Sequence, residues 1–355
     1  AGPLPAPAVA GIEDVVLDGQ RPISLAEFWR VSQGQAQFRP APSLAPRLAR
    51  CRELLDQLVA QRRLIYGVTT GFGPLATQHI DPSLTPALQR NLIYHLCSGV
   101  GTPYTPPETR GIMAARLISL SRGHSAIRPE TFFFLLECLH RNLIPVVPSQ
   151  GTVGASGDLT PLAHIALAFL GEGEIWEQGR PVSSGPLLAR LGLAPLDLLA
   201  KEGLALVNGT SAMTAMAARN AVLARRALEW SARLSMLYAE VLQGKLEAFQ
   251  PEISRLRPHR GQAWASHRLC ELAQGSQRLA PVEDTRLELT PDGGVNGNQA
   301  LLQDPYTIRC APQILGAVKD VIDQHDRTVE VELNSVTDNP LFFPTGDGGI
   351  GPTRG

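Results

Sequence analysis

Apolar residues recur at steps of three and four along much of this chain, and the elements they predict are helices. Leu44, Leu48, Cys51, Leu55 and Leu58 line one face of an amphipathic helix over 43–63. Ser24-Leu-Ala-Glu27 has capping-box spacing and opens an earlier helix. Helices are likewise expected over 84–97, from Thr105-Pro-Pro-Glu108 towards Ser121, and from Pro129-Glu130 through His140. Residues 158–170 read as a mostly apolar, buried helix. From Ser211 to Phe249 there is little glycine or proline and much Ala, Leu, Arg and Glu, which predicts one or two very long helices. Further helices are expected over 262–277 and 311–334, flanking a turn-rich region over 281–297. Strand signals are few: a short strand and turn at 15–19 and a hairpin within 176–184. No internal repeat or βαβ alternation is visible. The expected class is mainly α, a bundle of long helices with a small mixed N-terminal region. The domain boundary is expected between 205 and 206, giving 1–205 and 206–355.

The polar and glycine-rich stretches between these helices change the picture from architecture to chemistry. Tyr66-Gly-Val-Thr-Thr-Gly-Phe-Gly73 is loop chemistry, and loops on a helical scaffold are where sites tend to sit. Leu206-Val-Asn-Gly-Thr-Ser211 is a second small-residue loop. None of the glycine clusters matches a nucleotide-phosphate cradle. Gly151-Thr-Val-Gly-Ala-Ser-Gly-Asp158 stands apart. If the nitrogen of Gly157 attacks the carbonyl carbon of Ala155, a five-membered ring closes, and loss of water from that ring and from Ser156 leaves an exocyclic methylidene. A Cβ at position 157 would hinder that approach. The same residues also suit a plain turn before a helix, with Asp158 or Thr160 as N-cap.

Composition narrows the classes. The chain has 355 residues, with 32 basic against 33 acidic and no basic block, which argues against nucleic acid or an anionic membrane as main partner. Five scattered cysteines form no CxxC pair, so neither a metal site nor a disulfide framework is expected, and a reducing cytoplasm suits them. No apolar run approaches the roughly 18 residues of a membrane span. The opening Ala1-Gly-Pro-Leu-Pro-Ala-Pro7 lacks a basic start and reads as a flexible tail. A soluble, cytoplasmic protein is the expectation.

Seven separated stretches then share one family's order. They are Tyr66–Gly73, Asn91-Leu-Ile-Tyr-His-Leu96 with Ser98-Gly-Val-Gly101, Gly151–His164, Leu206–Met213, Arg257-Pro-His259, Gln303–Cys310 and Glu332–Pro340. Over about Asp18 to Phe343 the chain resembles the aromatic amino acid ammonia-lyases, which include histidine, phenylalanine and tyrosine ammonia-lyases. The resemblance implies that Ala155, Ser156 and Gly157 form the autocatalytic 4-methylidene-imidazol-5-one (MIO) group, with no external cofactor. It implies that the substrate amine adds to the methylidene carbon from Ser156 while a base removes the β-proton.

By the same resemblance Tyr66 is that base, and Arg309 holds the substrate carboxylate, a task suited to a planar guanidinium. Gln303 and Tyr306 line the pocket. Asn208 and Asn339 contribute amides near the electrophile and the carboxylate. Each has a plainer role open to it: a buried tyrosine, a structural ion pair, a cap. Asp158 either polarises the loop or caps a helix, and His164 reads as a satisfied core histidine. His95-Leu96 resembles the His-Leu pair of tyrosine ammonia-lyases. A histidine at the distal wall can hydrogen-bond a phenol hydroxyl, and leaving it unpaired costs about 1–3 kcal/mol. L-Tyrosine to trans-4-coumarate is therefore the expected reaction, with phenylalanine weaker. Histidine ammonia-lyase, an aromatic 2,3-aminomutase or an inactive scaffold remain alternatives. The resemblance also implies a homotetramer with sites shared between subunits, and family chains that run on for roughly another third of their length.

Overall fold

A computed structural model describes residues 12–152, 154, 156–279, 291–293, 303–344 and 350–352. Ala155 and most of the turn-rich 281–297 region lie outside the described residues. The chain divides into two compact units, 1–219 with 329–355 and 220–328. The boundary expected between 205 and 206 falls inside the first of these, and the C-terminal segment from Val329 rejoins it.

The first unit begins with β1 (Glu13–Leu17), α1 (Leu25–Ser32) and β2 (Ala36–Pro40). Ser24 and Glu27 close the expected capping box on α1 through reciprocal side-chain and backbone bonds. β1 and β2 pair in parallel, Glu13 with Ala36 through Leu17 with Pro40. This small strand–helix–strand unit departs from the expected lack of βαβ alternation. Its strands are five residues long and bury only alternate positions, too short a signal to read locally. Then come α2 (Leu44–Ala60), α3 (Thr85–Leu96), β3 (Val100–Pro103), α4 (Pro106–Ser121), α5 (Pro129–His140), β4 (Pro148–Gln150) and α6 (Leu159–Phe169). After these, β5 (Glu174–Glu177) and β6 (Arg180–Ser183) form the expected hairpin, followed by α7 (Ser184–Arg190) and α8 (Glu202–Val207).

α4 is the central element of this unit, buried at every position from Thr109 to Ser121. A helix enclosed all round belongs at the middle of a core, and its polar members must find partners there. Arg110 does so at the carbonyls of Val31 and Leu139 and at Asn142. β3 pairs antiparallel with β4, which brings the segment after α3 beside the Gly151 loop.

α9 (Ser211–Val241) and α13 (Ala311–Leu333) each begin in one unit and end in the other. The second unit adds α10 (Pro251–Leu256), α11 (Arg260–Ala273) and α12 (Tyr306–Arg309). Its core joins Leu228, Ala232 and Met236 of α9 to Ala265 and Leu269 of α11 and Leu315 of α13. α9 ends at Val241, before the expected limit at Phe249; Gln243 turns into the left-handed region and a short 3-10 turn over Leu246–Phe249 follows. The mainly α class expected from the sequence holds, with thirteen helices and four two-stranded sheets among the described residues. Among these residues no helix is long and apolar enough to cross a membrane, and no cluster of His, Cys, Asp or Glu could hold a metal ion.

Candidate active site

Tyr66 sits on a loop held from within and from behind. Thr69 Oγ1 accepts the Ile65 N–H (2.8 Å) and donates to the Arg63 carbonyl (2.8 Å). Gly67 has φ +65°, and a Cβ there would come 2.5 Å from both Leu204 and Phe72. Gln89, wholly buried on α3, donates to the Gly67 carbonyl (3.0 Å) and accepts the Leu204 N–H of α8 (3.3 Å). The tyrosine ring packs edge-on to Phe72, with 6.3 Å between centroids, and its hydroxyl accepts the Gly73 N–H at 3.1 Å. Tyr66 remains 39% exposed.

The Gly151–Asp158 loop docks on the Asn208–Thr210 turn. Gly209 N–H donates to the Ser156 carbonyl (3.2 Å), and Asp158 N–H donates to the Gly209 carbonyl (2.7 Å). Gly157 has φ +83°, and a Cβ there would lie 2.1 Å from the Gly209 carbonyl oxygen. Only glycine fits this approach. Ser156 is exposed, whereas Asp158 is buried. Asp158 is the residue before α6, yet its carboxylate makes no cap bond there. It accepts the Met213 N–H (2.7 Å) and so caps α9 across the fold. Burial pushes its pKa up, against the lowering effect of its bonds to Met213 and Ala212.

Asn208, at the C-terminal end of α8, donates to the carbonyl of Asn339 (2.8 Å) and to Asp338 Oδ1 (3.4 Å). Asp338 Oδ1 also accepts the Asn339 N–H (2.6 Å), and its Oδ2 accepts Lys201 Nζ (2.7 Å). Both charged side chains of that ion pair are fully buried. Thr210 N–H donates to Thr337 Oγ1 (3.2 Å), so the 337–339 segment grips the 208–210 turn at two points. Arg116, from the enclosed α4, donates through Nε to the Ala205 carbonyl (2.8 Å). Burial lowers the pKa of Arg116 and of Lys201, and the Asp338 charge opposes both shifts.

At the end of α3, His95 is exposed and Leu96 half-buried. The chain beyond them is pinned by His164 of α6, whose Nε2 accepts the Gly99 N–H at 3.1 Å. Burial lowers the His164 pKa, which keeps the ring neutral and its nitrogen able to accept.

Sequence reasoning thus named Ser156, Gly157, Asn208 and Asn339, which meet around the Asn208–Thr210 turn, and Tyr66, tied to α8 through Gln89. Gln303, Tyr306 and Arg309 meet one another in the second unit. The Arg309 guanidinium lies 4.3 Å from the Tyr306 ring centroid and donates to Gln303 Oε1. Missed were Gln89, Arg116, Lys201 and Asp338. The available signal was a lysine and a glutamate, Lys201-Glu202, set directly before the apolar run Gly203–Val207.

The family model for aromatic amino acid lyases matches residues 23–351. The chain belongs to that family. Among the lyases, it is 42% identical over 329 residues to the tyrosine ammonia-lyase of Cereibacter sphaeroides, covering 92% of this chain and 62% of that one. It is 41% identical over 325 residues to the histidine ammonia-lyase of Symbiobacterium thermophilum, covering 92% and 61%. The chain therefore spans about three fifths of the length of these relatives. The tyrosine aminomutase of Streptomyces globisporus superposes with a TM-score of 0.86 at 32% identity, covering 95% of this chain and 64% of that one. The histidine ammonia-lyase of Trypanosoma cruzi gives 0.80 at 33% identity, covering 96% and 60%. The aromatic amino acid lyase fold is shared with lyases and aminomutases alike, so substrate and outcome must be argued from the site.

Proposed function

We propose that this protein eliminates ammonia from an aromatic L-amino acid, preferably L-tyrosine to trans-4-coumarate, using an MIO group made from Ala155, Ser156 and Gly157. The observation that carries the reading is the docking of Ser156 and Gly157 on Gly209. The residues fit such a group: Gly157 has a backbone that excludes a Cβ, the Ser156 carbonyl accepts the Gly209 N–H, and the Ser156 side chain is exposed. When formed, the group supplies an electrophile that makes the substrate nitrogen a better leaving group.

Residues of this sequence, contributed by more than one copy of the chain, do the rest. Tyr66 Oη takes the β-proton as the Cα–N bond breaks, and the electron pair left on Cβ becomes the double bond of the enoate. Asn208 and Asn339 orient the reacting end, the Asn208 amide and the Asn339 backbone N–H both being held by Asp338. Arg309 holds the carboxylate, with Gln303 and Tyr306 beside it. His95 presents a polar edge to the substrate ring and Leu96 an apolar one, an arrangement that favours a phenol over a phenyl group.

A homotetramer in the cytoplasm belongs to the same proposal. A row of exposed apolar side chains at three- and four-residue steps on α9 supports self-association: Trp230, Leu234, Leu237 and Val241, each more than half exposed. Incubation of the full-length protein with tyrosine, phenylalanine and histidine, followed by near-UV absorbance of the enoate, tests the reading. Coumarate is the expected product. Urocanate without coumarate would reassign the substrate, and a β-amino acid would make the protein an aminomutase.

A further inference from the structure

Lys201 and Asp338 stand 137 positions apart in the chain and form an ion pair with both side chains at zero exposure. Such a pair is a poor source of stability, because desolvating two charges consumes most of their attraction. Lys201 is costly in a second way. It occupies the left-handed region at φ +73°, unusual for a residue with a Cβ, at the position preceding α8. Two unfavourable features at one residue call for a function that stability does not explain.

The bonds of Asp338 indicate what it is. One oxygen takes Lys201; the other takes the Asn208 amide and the Asn339 N–H. The Asn208 amide also bonds the Asn339 carbonyl, so the two asparagines are locked together at the aspartate. The next residue after Asn208 is Gly209, whose N–H and carbonyl hold Ser156 and Asp158. On the far side of the turn, a Cβ at Gly209 would lie 2.5 Å from Thr337 Oγ1 and 2.9 Å from Arg116 Nη1. That Nη1 is buried and without a hydrogen-bond partner, so the turn is walled by a second enclosed cation. A side-chain lock at Asp338 is thus transmitted by consecutive backbone atoms to the loop carrying Ser156.

We propose that Lys201 and Asp338 are positioning residues for the Ser156–Gly157 loop, acting through Asn208 and Gly209. The role rests on the function proposed above. Lys201 holds and aims the Asp338 carboxylate through its bond to Oδ2. Asp338 fixes the Asn208 amide and the Asn339 backbone N–H, and the turn they hold sets the register of Gly157 against the carbonyl it must reach. Without the pair the fold persists but dehydration of the loop becomes slow and incomplete.

Two double variants of the full-length protein test this. Lys201→Met/Asp338→Leu removes both charges and the acceptor; Lys201→Met/Asp338→Asn removes the charges and keeps an acceptor for Asn208. Neither leaves Lys201 or Asp338 as an unpaired buried charge, the usual reason single replacements in such pairs unfold, and both remove the Asp338 charge from Arg116 alike, so that loss cancels when the two variants are compared. The readouts are the dehydrated fraction by intact mass, the thermal transition, and kcat and KM separately, all on the monodisperse fraction. The Leu variant is expected to retain its thermal transition, with the dehydrated fraction and kcat falling at least tenfold and KM changing less than threefold. The Asn variant is expected to recover most of both losses. Should leucine overfill the site, Lys201→Met/Asp338→Ala carries the same expectations. Full dehydration and wild-type kcat in the Leu or Ala variant would overturn the proposal. So would a loss that the Asn variant does not repair. Absence of dehydration in the wild type would instead sink the MIO reading itself, and this role with it.

Discussion

Gly157 and Gly209 face each other backbone to backbone, so closely that a Cβ on Gly157 would stand 2.1 Å from the Gly209 carbonyl oxygen. One is in the loop proposed to make the electrophile; the other belongs to the turn fixed by Asp338. Their contact replaces side chains with main chain at the point where register matters most. Gly157→Ala should cost about 1–3 kcal/mol from overpacking and backbone strain. Thermal unfolding measures that cost, and intact mass should show the loop no longer dehydrated. An alanine variant that melts and dehydrates like wild type would break this account of the contact.

Gln89 should matter more than a buried glutamine ordinarily does. Its amide joins the Tyr66 loop to α8 through Gly67 and Leu204. Gln89→Ala leaves a buried carbonyl and a buried N–H without partners, a loss of about 1–3 kcal/mol for each orphaned group at most. Because the loop it releases carries Tyr66, kcat should fall further than the stability loss alone explains. Unchanged kcat in a folded variant would separate Gln89 from the proposed base.

His164 predicts a pH dependence with a definite sign. Burial depresses its pKa below the free-histidine value, so the folded state favours the neutral ring that accepts the Gly99 N–H. That contribution is complete above the unfolded pKa of about 6.5 and is lost as pH falls through the lower folded value. Histidine-selective NMR should show this ring titrating below the free-histidine midpoint, with the Gly99 amide shifting in step. A midpoint at or above the free value would contradict the assignment.

His95→Phe should shift preference from tyrosine to phenylalanine. The histidine is proposed to pair with a phenol hydroxyl, an interaction whose absence costs about 1–3 kcal/mol, or roughly tenfold and more in kcat/KM. The ratio of kcat/KM for the two substrates is the quantity to measure. An unmoved ratio would take substrate choice away from His95 and Leu96.

Much of the helical framework was legible because its signals are local. Ser24 and Thr105 each announce a capping box three residues ahead, and both boxes close as expected. The regular steps of Leu44, Leu48, Cys51 and Leu55 become the buried face of α2. What the chain does not announce is pairing at a distance. β1 finds β2 in parallel register, and Asp158 caps α9 through Met213, 55 residues further on. Lys201 meets Asp338 only through the fold, 137 positions along the chain. The site followed the same division. Ser156, Gly157, Asn208 and Asn339 could be named from short stretches, while the residues that hold them required the fold.

The central claim is that the loop at Ser156 converts itself into an electrophile. Peptide mapping of the intact full-length protein tests it most directly. A deficit of two water molecules should localise to the peptide carrying Ala155, Ser156 and Gly157, disappear in Ser156→Ala, and take tyrosine turnover with it while the thermal transition stays in place. A wild-type peptide of unaltered mass in a protein that still releases coumarate would contradict the account.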